Sequence, residues 1–169
     1  MSGAGLIGED DSALRAGLTA ALGVRRWVDE VASAAPFADL AELRSVASAA
    51  GADLSDREIE EALAHHPRIG EKPVGEGAAQ AFSRREQASA DANDAEINAR
   101  IAAGNAAYES RFDRVFLIRA AGRSRAEILG ELDRRIELDH ETELQNVREQ
   151  LLEIALLRLD QTFGEDALA

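Results

Sequence analysis

The sequence predicts an all-α fold, a single-domain helical bundle of about seven to nine helices, from three observations. Hydrophobic residues fill 46% of the 169 positions but aromatic ones only 4%, so the core is built from Ala, Leu, Ile and Val, which suits closely packed helices. Apolar residues recur at three- and four-residue spacing along most of the chain. The breaks between these stretches carry Gly, Pro, or a Ser or Asp ahead of an acidic residue, which are the signatures of helix ends.

Residues 1–10 are expected to form a flexible terminus, with one domain over 11–169. From Ser12, the positions Leu14, Leu18, Ala21 and Leu22 mark a first helix that Gly23 stops. A second runs from about Arg25 to Ala35, with Trp27, Val28 and Val31 on one side and Pro36 at its end. Asp39 caps a third through Leu43, Val46, Ala47 and Ala50 to Gly51. Ser55 and Glu58 form a capping-box pattern that opens a fourth, which is expected to reach His66. Pro67 to Gly77 is the longest loop, and Ser83 with Glu86 reads as another capping box opening the next helix. A long helix from about Asp94 carries Ile97, Ile101, Gly104, Tyr108 and Phe112 on one stripe. Val115 to Ile118 is a short apolar run, either strand-like or buried extended chain, and a lone strand would have no partner. Ser124 and Glu127 cap a helix to about Leu138, and the last spans roughly His140 to Phe163.

At 169 residues the chain buries roughly 70% of the surface its unfolded form exposes, so one core needs no staples. There is no cysteine, which removes disulfides and thiol catalysis and fits a reducing compartment. A net charge of −13 argues against nucleic-acid phosphates and anionic lipid surfaces as partners. No apolar run approaches membrane-spanning length, no secretory leader opens the sequence, and its final Ala-Leu-Ala is no peroxisomal address. The expectation is a cytoplasmic protein.

The chemistry concentrates where helix grammar fails. His65-His66-Pro67-Arg68-Ile69-Gly70 sets two imidazoles before a proline inside an Ala-, Leu- and Glu-rich sequence. An imidazole with an ordinary pKa of about 6.5 both takes and gives a proton near neutrality, and a residue before proline is turned away from helical dihedrals. His66 is therefore presented at a loop mouth, either as an acid/base or merely bonded to a carbonyl, and His65 reads as a solvated neighbour. On the last helix, Leu144, Val147, Leu151, Ile154 and Arg158 share one arc. A guanidinium there either snorkels to water or grips a carboxylate or oxyanion. Ser83 and Glu86 are either a plain cap or a source of N–H donors and a carboxylate beside the imidazole. Arg123, Arg125, Arg134 and Arg135 read as a solvated face paired with Glu127, Glu131 and Glu137. The three histidines have no metal-ligand spacing, and neither a nucleophile elbow nor a glycine-rich phosphate cradle occurs.

Together these residues resemble the 2-oxo-4-hydroxy-4-carboxy-5-ureidoimidazoline (OHCU) decarboxylases of urate breakdown. The landmarks occur in order: Trp27-Val28 with Pro36-Phe37, Ala64-His65-His66-Pro67, Ser83 with Glu86-Gln87, Asn98 and Tyr108 before Arg111-Phe112, Phe116-Leu117-Ile118, and Leu157-Arg158-Leu159. The resemblance implies an all-helical enzyme without metal or organic cofactor, often a homodimer, that converts OHCU to (S)-allantoin. It implies His66 as catalytic acid/base with Glu86 and Arg158 as companions. It implies substrate contacts from Pro67, from Ser83, Arg84, Arg85, Glu86 and Gln87, and from Phe116, Leu117, Ile118, Arg119 and Ala120. Arg68-Ile69 replaces the Asp-Leu common in relatives, Asp113-Arg114-Val115 replaces Gly-Phe-Pro, and Arg119 replaces a cysteine. The alternatives are a decarboxylase of a related ureido acid and a non-catalytic helical interaction module.

Overall fold

Short polar side chains start most of the helices. Asp10 accepts from the Ala13 N–H at 3.1 Å and opens α1 (Asp11–Ala21). After α2 (Arg25–Ser33), Asp39 accepts from the Glu42 N–H at 2.8 Å and opens α3 (Leu40–Gly51). Ser55 and Glu58 exchange hydrogen bonds of 3.0 and 3.2 Å as the box that opens α4 (Asp56–Leu63). After α5 (Ala78–Glu86), Asp94 caps α6 (Ala95–Phe112) and a complete Ser124–Glu127 box caps α7 (Arg125–Arg135). Asp139 takes the Thr142 N–H at 2.8 Å at the start of α8 (His140–Phe163). The structure, a computed structural model, describes residues 5–70 and 77–164, with the side chains of 78–80 excepted. Among these residues there are eight helices and no strand, so the expected all-α class holds.

The elements fall into two compact units, one of residues 1–62 with 152–169 and one of residues 63–151. In the first, α1 packs on α2 and α2 on α3. Trp27 is fully buried there, and its indole N–H donates to the Ala47 carbonyl at 3.0 Å, so its polar edge is satisfied as burial requires. The segment read as a flexible terminus is tied down from Ile7 onward. Ile7 is buried and exchanges two backbone hydrogen bonds, 2.9 and 2.7 Å, with Phe37, because its apolar side chain has a place in the core.

In the second unit α6 packs on α7 around a cluster of Ile69, Ile101, Tyr108, Phe112, Phe116, Ile118, Ile128 and Leu132. Gly104 permits the approach, since a Cβ there would lie 2.5 Å from a Leu132 methyl. Phe116, Leu117 and Ile118 are buried in irregular chain outside any helix or strand, so the strand-like reading does not hold. Gly104→Val is expected to destabilise the protein by about 1–3 kcal/mol, since the fully buried Leu132 would have to shift within the cluster; a lower urea midpoint with an unchanged m-value is the measurement.

Candidate active site

α4 stops at Leu63, a turn earlier than expected, and the next residues form a bend in which the His66 N–H donates to the Leu63 carbonyl at 3.1 Å. His66 is half-buried and followed by a half-buried Pro67, while His65 is exposed. The three residues after the proline are each held. Arg68 Nε meets Glu109 Oε1 at 2.6 Å. The carbonyl of buried Ile69 accepts from Asn105 Nδ2 at 3.1 Å. Gly70, at φ +94°, donates its N–H to Gln87 Oε1 at 3.0 Å, a left-handed conformation for which glycine is suited. Residues 71–76 of the expected loop lie outside the described residues.

Ser83 and Glu86 do not open a helix. They occupy the last turn of α5, whose N-cap is Gly77. Ala78, Ala79, Gln80 and Ala81 are good helix formers, so the helix begins upstream of the Ser-x-x-Glu pattern. Ser83 is buried and Glu86 half-buried, whereas Arg84 and Arg85 are exposed, Arg85 over the Phe82 ring at 4.9 Å. A carboxylate in a last turn faces the negative end of the helix dipole. Helix stability therefore does not account for Glu86, and the role of N–H donors at a helix entrance does not apply to Ser83.

The segment expected to touch substrate, 116–120, is held mainly by side chains. The Leu117 carbonyl accepts from Arg135 Nη1 at 2.8 Å, and the Arg119 N–H donates to Gln150 Oε1 at 2.7 Å. Phe116, Leu117, Ile118 and Ala120 are buried and Arg119 half-buried. Beneath this segment Arg135 pairs with Glu143, both essentially inaccessible. Arg135 Nε reaches the two carboxylate oxygens at 2.9 and 3.1 Å, and its guanidinium lies 4.7 Å from the Phe116 ring centre. Tyr108 donates its hydroxyl to Glu143 Oε1 at 2.7 Å. Burial, with the carboxylate beside it, pushes the phenol far above its ordinary range, so it stays a donor.

The expected solvated arginine face holds for Arg134, exposed and paired with Glu131 at 2.8 Å. It fails for Arg135 and for Arg125, because both are buried. Arg125 Nη2 donates to the Gln87 carbonyl at 3.3 Å, and burial lowers its pKa. Asp91 accepts the N–H groups of Arg125 and Ala126 at 2.8 and 3.0 Å, which hold its carboxyl below the usual range.

Arg158 lies in the other unit, on α8, only 3% exposed, and its Nη1 donates to the Ala20 carbonyl at 2.9 Å. Snorkelling to water is thereby excluded. The sequence reading missed Asn105, Glu143 and Gln150, and placed Arg135 on a solvated face. For two of them a signal existed: Arg135 continues the Ile128, Leu132 stripe and Glu143 the Val147, Leu151 stripe, the same criterion that singled out Arg158. Among the described residues no group of three or more His, Asp or Glu is disposed to hold a metal ion.

A sequence profile of the OHCU decarboxylase family matches residues 9–160. A solved structure of an OHCU decarboxylase in the presence of (S)-allantoin superposes with a TM-score of 0.74 at 22% identity, over 89% of this chain and 99% of that one. An (S)-allantoin synthase structure superposes with a TM-score of 0.59 at 16% identity, over 86% of this chain and 48% of that one. Both likenesses are of fold. No curated protein matches the chain in sequence.

Two outcomes are expected from this geometry. Glu143→Ala leaves Arg135 as an uncompensated buried cation and lowers stability by about 3–5 kcal/mol, measured by chemical denaturation. The depressed carboxyl of Asp91 contributes stability that is full above its unfolded pKa of about 3.9 and is lost as pH falls through the lower folded value. Asp91→Asn is therefore less stable than the parent at pH 6, with the gap closing in unfolding curves taken progressively below pH 4.

Proposed function

The chain belongs to the OHCU decarboxylase family, and from that premise we propose that His66 is the general acid/base in the conversion of OHCU to (S)-allantoin. The observation that carries the reading is the exit of α4: a half-buried imidazole lies just beyond the helix and before Pro67, and the following residues are fastened to side chains of α6 and to Gln87. An imidazole meant only to end a helix needs no such fixing.

Breaking the bond to the carboxylate leaves an electron pair on the carbon that held it. The pair spreads onto electronegative ring atoms until a proton arrives, so the site must supply hydrogen-bond donors for that charge and one proton delivered to one face. His66 takes the proton of the substrate hydroxyl as CO2 departs and the hydroxyl-bearing carbon becomes a carbonyl, then gives a proton to the adjacent ureido-bearing carbon. The single proton donor sets the stereochemistry. Glu86, whose place in the last turn of α5 gains nothing from the helix dipole, accepts from the ureido N–H groups and orients the ring. Arg158 is assigned a share in holding the substrate through its planar fork of donors. That assignment rests on the family resemblance and on a guanidinium buried in α8.

Of the departures from relatives, Arg68 is engaged by Glu109, which makes it part of the loop's fastening and leaves OHCU favoured over a related ureido acid. Arg119 likewise spends Nη1 on the Ala121 carbonyl at 2.7 Å. We further assign the enzyme to the cytoplasm as a cofactor-free homodimer on the strength of the resemblance; the absence of cysteine is compatible with a reducing compartment. No helix among the described residues is long and apolar enough to cross a membrane.

The test is His66→Asn, followed through the decay of the circular-dichroism signal of OHCU generated from urate. Turnover is expected to fall by about 10²–10⁴-fold with KM little changed. An undiminished acceleration over the spontaneous reaction would refute the role.

A further inference from the structure

On α6, Asn105 and Glu109 stand one turn apart and therefore on one face. Both reach the chain just after His66-Pro67: Asn105 Nδ2 holds the Ile69 carbonyl at 3.1 Å and Glu109 Oε1 holds Arg68 at 2.6 Å. Asn105 is a poor choice for stability. It sits within a helix, is only 6% exposed, and its Oδ1 has no hydrogen-bond partner among the described residues, a burial that costs free energy. Its helix neighbours Ile101 and Tyr108 belong to the apolar cluster, where a leucine would pack without that penalty. A leucine would not hold the Ile69 carbonyl, and that is the one thing the carboxamide does.

We propose that Asn105 and Glu109 are positioning residues for the decarboxylation. They fix the carbonyl of Ile69 and the side chain of Arg68, so that the rigid Pro67 presents the His66 imidazole in one orientation. The proposal rests on the reading of His66 as acid/base. Neither residue touches the substrate; both act through the one or two residues of backbone by which Arg68 and Ile69 follow the proline. The Arg68–Glu109 pair is particular to a chain with arginine after His-Pro, so this family member replaces whatever the commoner aspartate does there with a contact to α6.

Three variants test it beside His66→Asn, each with kcat, KM, a thermal melt and the NMR titration of the His66 imidazole. Glu109→Arg opposes two cations and is expected to lower kcat several-fold with KM within about twofold, and the double variant Arg68→Glu/Glu109→Arg, with the pair reversed, to recover most of the loss. Asn105→Asp keeps the shape but sets a carboxylate oxygen against the Ile69 carbonyl. It is expected to lower kcat on the order of ten- to a hundredfold and to displace the His66 resonance. The charge-reversed pair is part-exposed and decides the matter even if Asn105→Asp does not fold. A double variant as slow as Glu109→Arg overturns the proposal. So do single variants at parental kcat while His66→Asn is inactive. An active His66→Asn enzyme removes the premise, and the proposal with it.

Discussion

The ion pair between Arg135 and Glu143 is the constraint on which the second unit is organised. Neither residue is reachable by water, so each charge depends on the other and on the neutral groups around them. Glu143 takes the guanidinium, the Tyr108 hydroxyl at 2.7 Å and the Asn146 amide at 3.3 Å. Arg135 spends Nη1 on the Leu117 carbonyl and its face on Phe116. One pair thus joins α6, α7, the start of α8 and the segment 116–120. A hydrophobic pair of the same volume would pack as well, but it would leave the Leu117 carbonyl without its donor. The segment is irregular chain with no strand beside it among the described residues, so side chains must satisfy its backbone where a sheet would otherwise have done so.

The same device recurs beside the imidazole. Asn105, Glu109 and Gln87 each hold one of the residues 68–70, and Arg125 in turn binds the Gln87 carbonyl. Irregular chain in this protein is fixed by side chains projecting from helices. The proposed catalytic role of His66 would gain from that division of labour, because helices hold their side chains to a narrower range of geometry than loops do. Buried polar groups are the cost, and Asn105 Oδ1 is one that the described residues leave unmet.

What was legible in the sequence follows the range of the interaction. Helix starts set by local hydrogen bonds came through: Asp39, Ser55 and Ser124 cap as expected, and the long helix begins at Asp94, the expected position. Ser83–Glu86 misled because the same four-residue pattern is silent about what precedes it, and an alanine-rich run upstream had already begun the helix. His66 and Pro67 were legible because a proline acts on its immediate neighbour. The partners of Arg68, Ile69 and Gly70 lie 41, 36 and 17 residues away, and no local rule points to them. Arg135 and Glu143 fall between these cases. Each continues an apolar stripe on its own helix, so each was readable singly as a buried charge, but their pairing required the fold.

The acidity of the chain bears on the chemistry in the same way. With a net charge of −13, the average field repels an anionic substrate, and a bound carboxylate must be met by local cations and N–H groups instead. A strong grip on the departing carboxylate itself would stabilise the ground state as much as the transition state and leave turnover unchanged. The productive use of a buried guanidinium is against atoms that gain charge as CO2 leaves. In the proposed mechanism of proton delivery, modest overall attraction for the substrate is therefore compatible with turnover. That mechanism requires the protein to hold rigidly the direction from which the proton comes, and the contacts to residues 68–70 restrain the chain that follows the imidazole.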